Sequence, residues 1–87
     1  MSAIIAAFKS KNQMIQFDSA LRKKGIATKI ISTPRAIALG CGLSVEIQDQ
    51  DLQGAKDIIS KSNFTAFEGF YQIIKEGNRV RVVRIFS

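Results

Sequence analysis

The sequence predicts an α+β fold, two helices laid on one face of an antiparallel sheet, in the order βαββαβ with one further strand after it. Three observations carry this. Leu43-Ser44-Val45-Glu46-Ile47-Gln48 alternates apolar and polar residues without a break, the period of a strand with one face in a core. Two segments, one opening at Ser10 and one at Asp49, set apolar residues at helical spacing behind a capping residue. The stretch from Phe67 to Phe86 reads as two strand-like runs around Glu76-Gly77-Asn78, which is turn material and makes it a hairpin.

Each element follows in chain order. Residues 3 to 8 are apolar throughout, as in a short buried strand. Ser10 and Gln13 have the spacing of a capping box, in which each side chain satisfies an orphan backbone donor. Met14, Phe17 and Leu21 then form a buried helix face, with Ala20 beside them. Arg22, Lys23 and Lys24 fill the last turn, where cations complement the helix dipole, and Gly25 is the stop. Residues 26 to 32 are expected as the second strand, with Ile26, Thr28 and Ile30 on one face, ended by Pro34, which cannot donate to a ladder. After the strand at Leu43 to Gln48, Asp49 is the expected N-cap of the second helix, with Asp51 in its first turn. Its buried face is Leu52, Ala55, Ile58 and Ile59, and it ends at Ser62 and Asn63. The terminal strand is Arg79 to Phe86.

This order is that of a ferredoxin-like sandwich with an additional C-terminal strand, a single domain over residues 1–87. Ile4, Ile30 and Phe70 are expected against the helices, and Ile5, Ile31 and Tyr71 on the opposite face. Strands that are apolar on both faces need cover on both. A chain of 87 residues has a modest core, so a partner copy is the simplest cover and a homo-oligomer is expected, through this face or through the terminal strand Arg79 to Phe86, unless that strand covers its own domain instead.

Composition narrows the function classes. The chain is 46% hydrophobic, as globular proteins are. Its longest apolar run, Ala3 to Phe8, is far too short to span a bilayer and follows no charged leader, so a cytoplasmic protein without membrane contact is expected. There is no histidine, which removes the commonest metal ligand and the commonest neutral-pH base. With one cysteine as the only soft ligand, neither a metal site nor a cofactor is expected. The net charge of +6 suits anionic partners, but the basic residues are dispersed and select none of them.

The remaining chemistry is concentrated in one loop, Thr33-Pro34-Arg35-Ala36-Ile37-Ala38-Leu39-Gly40-Cys41-Gly42-Leu43. Cys41 is the single cysteine and has no internal disulfide partner. Gly40 and Gly42 flank it, leaving the backbone free and the thiol little shielded. A thiolate is the reactive form, free cysteine has a pKa of about 8.5, and a cation such as Arg35 lowers it. The amides of Gly40 and Gly42 are placed to form a small anion nest. Against this, a free cysteine commonly behaves as a small buried hydrophobe, and Leu39 and Leu43 stand close by in sequence. Pro34 also reads as a strand stop, and Arg35 as a solvated cation.

Thr33-Pro34-Arg35, followed by Cys41-Gly42-Leu43 and preceded by the Gly25-Ile26 pair at the helix end, resembles a family of small bacterial proteins described as selenium/sulfur carrier-like. The segment opening at Asp49 and Asp51-Leu52 is similar too, and the resemblance covers roughly residues 3 to 71. It implies a carrier in which Cys41 accepts sulfur or selenium as a persulfide or perselenide, with Arg35 stabilising the thiolate. It implies as partners a sulfur-donating enzyme, such as a cysteine desulfurase, and an acceptor protein. Such a protein is a carrier rather than an enzyme that turns over alone.

Two other classes compete. A regulatory or adaptor module would use the sheet face for a partner and tolerate Cys41→Ser. An RNA-binding sheet would stack bases on exposed aromatics, but Tyr71 and the six phenylalanines carry no Lys/Arg-Gly-Phe-Gly-Phe signature. Arg79-Val80-Arg81 and Arg84 read as charges guarding an edge strand rather than phosphate contacts. Gly40-Cys41-Gly42 lacks the Gly-Lys-Ser/Thr ending of a phosphate loop.

Overall fold

The computed structural model describes residues 2–34, 37 and 42–86. Among these the order is β1 (Ser2–Phe8), α1 (Lys11–Lys23), β2 (Lys29–Ser32), β3 (Leu43–Gln48), a 3-10 turn (Asp49–Asp51), α2 (Leu52–Lys61), β4 (Phe67–Glu76) and β5 (Arg79–Phe86). The strands form a five-stranded sheet in the order β2-β3-β1-β4-β5, with every neighbouring pair antiparallel. The fold is therefore α+β, two helices with an antiparallel sheet.

The period-2 and helical patterns meet in one core. Ile4, Ala6 and Phe8 of β1, Val45 and Ile47 of β3, and Phe70 of β4 pack against Met14, Phe17 and Leu21 of α1 and Ala55 and Ile58 of α2. Aromatic rings fill its centre. Phe8 lies 5.2 Å from Phe17 between ring centroids, Phe67 lies 5.0 Å from Phe70, and Phe64 meets Phe17 edge-on at 5.8 Å. Burying each such side chain is worth about 1.5–3 kcal/mol.

Helix α1 starts and stops for identifiable reasons. Ser10 is extended, and its Oγ accepts from the Gln13 N–H at 3.3 Å. The reciprocal half of the expected capping box is replaced by a tertiary bridge. Gln13 Nε2 donates to Thr65 Oγ1 at 3.0 Å, and its Oε1 accepts the Ala66 N–H at 2.8 Å, tying α1 to the approach to β4. At the other end Gly25 has φ +84°, its N–H bonds the Arg22 carbonyl, and the Ile26 N–H reaches back to Leu21, each at 3.0 Å. These are the two bonds of a Schellman motif, and Ile26 packs on the same core as Leu21. Ile26 is thus spent on closing the helix. This corrects the expected second strand, which spans Lys29–Ser32 rather than residues 26 to 32.

Two further expectations are corrected. Asp49 does not cap an α-helix: a 3-10 turn covers Asp49–Asp51, and α2 proper begins at Leu52. The acidic residues remain at the helix's N-terminal end, where the dipole favours them. Ile30 pairs with Val45 and so takes the helix-side face, but β2 is the outer strand there and Ile30 is 44% exposed. Ile4 and Phe70 do face the helices. Ile5, Ile31 and Tyr71 lie on the opposite face, where Ile5 and Ala7 are buried with Ile37, and Ile31, Tyr71, Ile73 and Val82 pack around them.

Candidate functional site

The loop carrying the single cysteine joins β2 to β3. Where β2 ends, the Thr33 N–H donates to the Gly42 carbonyl at 2.9 Å, closing the base of the loop. One step further into the sheet, the hydroxyls of Thr33 and Ser44 lie 2.7 Å apart. Ser44 is fully buried, so this hydrogen bond is formed away from water and its loss leaves an oxygen unsatisfied. Gly42 has φ +82°, a region that costs an L-residue roughly 1–2 kcal/mol, and a Cβ built there meets nothing within 4 Å. The demand for glycine at this end of the loop is therefore conformational and not steric.

The N-terminal limb is held differently. The Ile37 N–H donates to the Pro34 carbonyl at 3.0 Å. Ile37 is only 7% exposed and packs with Ile5 and Ala7 on the face away from the helices. This residue anchors the loop to the sheet. Beside it runs a groove of about 200 Å³, with Ile5, Ile31, Pro34 and Ile73 as apolar lining and Glu46 and Lys75 as its charged groups.

Of the residues singled out from the sequence, Thr33, Pro34 and Gly42 belong to this frame. Arg35, Gly40 and Cys41 lie outside the described residues, as does the expected pairing of Arg35 with the thiol. Sequence reasoning passed over Ser44 and Ile37. Ser44 is the polar member of an alternating strand, which normally marks a solvated face, and nothing local reveals that Thr33 will meet it. Ile37 did carry a signal, an aliphatic residue inside a loop rich in proline and glycine.

The other candidates resolve into structural roles. The Arg22 guanidinium bonds Asp18 one helical turn away at 3.0 Å, and Lys24 Nζ lies 3.9 Å from Asp57. Tyr71 is half-buried, with the Arg84 guanidinium carbon 6.0 Å from its ring centroid. Among the described residues no three histidine, cysteine, aspartate or glutamate side chains gather at a metal-binding spacing. No described helix is long and apolar enough to cross a membrane.

No curated protein and no solved structure matches this chain. A family model described as "Putative Se/S carrier protein-like" matches residues 3–72, from β1 through most of β4, with both limbs of the cysteine loop inside the match and β5 outside it. That match spans well over half of the sequence, and the chain belongs to the Se/S carrier-like protein family.

Proposed function

We propose that this protein carries sulfur or selenium as a persulfide or perselenide on Cys41, with Arg35 and the amides of Gly40 and Gly42 stabilising the thiolate. The observation that carries this reading is the family match across the loop. The frame described above supports it. A carrier thiol must be held on a defined base, and the Thr33–Gly42 and Thr33–Ser44 bonds supply one directly beside Cys41 in the chain.

The chemistry needs no metal and no redox partner. The Cys41 thiolate attacks the outer sulfur of a donor enzyme's persulfide. A new S–S bond forms at Cys41, the donor's S–S bond breaks, and the donor cysteine leaves as a thiolate. Delivery to an acceptor protein repeats the exchange in the other direction. Donor and acceptor proteins, a cysteine desulfurase being one donor of suitable chemistry, are thus the partners, and the carrier performs no turnover alone. A cytoplasmic location fits a thiol that must stay reduced between transfers.

The same reading takes the chain as one domain over residues 1–87 with a ferredoxin-like arrangement, to which β5 is an addition. The strand order β2-β3-β1-β4 and the two helices on one face support that arrangement. It also takes the protein as a homo-oligomer through the sheet face away from the helices, where Tyr71, Ile73 and Val82 are only part-buried.

The test is the pH profile of thiol alkylation on folded protein. A stabilised thiolate has a pKa below the free value of about 8.5, so reactivity persists as pH falls until it drops through the lowered pKa. Arg35→Ala moves the midpoint upward. A Cys41 that resists alkylation until the protein unfolds overturns the reading.

A further inference from the structure

We propose that β5 is a docking edge for an extended acidic segment of a partner protein, which adds to the sheet as a further strand. The two edges of the sheet are built differently. β2 has four residues, starts at Lys29 and runs into Pro34, the devices by which edge strands avoid being paired. β5 has eight residues and no proline, and exposes Val80 (59%) and Val83 (38%) between Arg79, Arg81 and Arg84, whose charges guard the edge against like strands and leave an acidic strand as its complement.

Its main chain is open in a regular pattern. The hairpin closes through a two-residue turn at the pair Glu76↔Arg79, and the register then runs unbroken to Tyr71↔Arg84. A two-residue turn closes on a hydrogen-bonded pair, so Val80, Val82 and Arg84 take the alternate positions, whose N–H and C=O point away from β4. Three successive outward pairs form a template for strand addition.

Charge selects the occupant. Arg79 and Arg81 lie on the helix-side face, as Ile85 does, and Arg84 lies on the opposite face with Tyr71. Arg84 donates from Nη2 to the neutral Glu68 carbonyl at 2.9 Å and lies over the Tyr71 ring, contacts that hold it in place without neutralising it by a carboxylate. Arg81 Nε bonds Glu76 at 2.9 Å, but its side chain is 63% exposed. Like charges directly opposite one another destabilise a strand pair and opposite charges favour it. The edge therefore rejects basic strands, and the net charge of +6 steers acidic ones towards it. The fitting segment is acidic opposite Arg79, Arg81 and Arg84 and apolar opposite Val80, Val82 and Val83. β5 is the edge strand opposite β2 in the sheet.

The probe is the capped peptide Glu-Val-Val-Glu-Val-Glu, which presents that pattern to β5 in antiparallel register. Amide hydrogen exchange is followed by NMR on the full chain. The expected result is slowed exchange at Val80, Val82 and Arg84, binding roughly tenfold weaker in Arg79→Glu/Arg84→Glu, and loss of protection with a peptide N-methylated at alternate residues. Unchanged exchange at these amides overturns the proposal, and so does protection that survives N-methylation. Stronger protection of the same amides by an oligothymidylate overturns it in favour of nucleic acid. Cys41→Ser binds the peptide as the native chain does, so this proposal and the carrier reading fail separately.

Discussion

Removing the Ser44 hydroxyl should loosen the base of the cysteine loop by an amount that its burial sets. Ser44 is fully buried and Thr33 half-buried, and their oxygens are 2.7 Å apart. Ser44→Ala strands Thr33 Oγ1, at a cost of about 1–3 kcal/mol. Thr33→Val strands the more deeply buried Ser44 Oγ and should cost at least as much. A chain of 87 residues has a total stability of roughly 4–13 kcal/mol, so either loss is a sizeable fraction. Each kcal/mol should lower Tm by about 4–8 °C. The double variant leaves neither oxygen stranded. Its cost should fall short of the sum of the singles by about 1 kcal/mol, the coupling expected of groups in direct contact. Urea unfolding of the four proteins measures the cycle. Additive losses would refute the reasoning, because they would mean that each hydroxyl is satisfied independently of the other.

Three more outcomes follow from the same structure. Gly42→Ala should cost roughly 1–2 kcal/mol in urea unfolding and Gly42→Asn less, since φ +82° and not crowding is the obstacle. Gln13→Ala should cost about 1–2 kcal/mol, because it deprives the part-buried Ala66 N–H of its acceptor; a loss no larger than that of an exposed helix position such as Gln16→Ala would deny the bridge to β4. Sedimentation at rising concentration should reveal an oligomer, and a strict monomer would remove the proposed interface on the sheet face.

Much of this fold was legible because local and long-range demands agree. The alternation from Leu43 to Gln48 needs only one buried face to become a strand, and β3 has the same bounds. Gly25 after three basic residues has one economical use, and the Schellman bonds realise it. The misreadings have a common cause. Ile26 looked like strand because it alternates with Thr28 and Ile30, but its role is fixed by Leu21 in the preceding helix turn. Ile30 obeys the register and still faces solvent, because sequence gives no account of how far the helices extend over the sheet. Gln13 has the spacing of a capping box, but Thr65 and Ala66 compete for its amide from across the fold. In the loop, Thr33, Pro34 and Gly42 were legible as motif residues. Ser44 was not, since it acts through Thr33 on the other limb of the loop, and Ile37, though aliphatic in a loop, gave no sign that Ile5 and Ala7 would be its partners.

The central claim, that Cys41 carries a transferable chalcogen, is tested most directly by intact mass. Reduced protein is incubated with a cysteine desulfurase and cysteine, then weighed without reductant. The account predicts a gain of one sulfur atom on the native chain, reversed by a thiol reductant and absent from Cys41→Ser. An unchanged native mass, with the desulfurase shown to be loaded with its own persulfide, would contradict it.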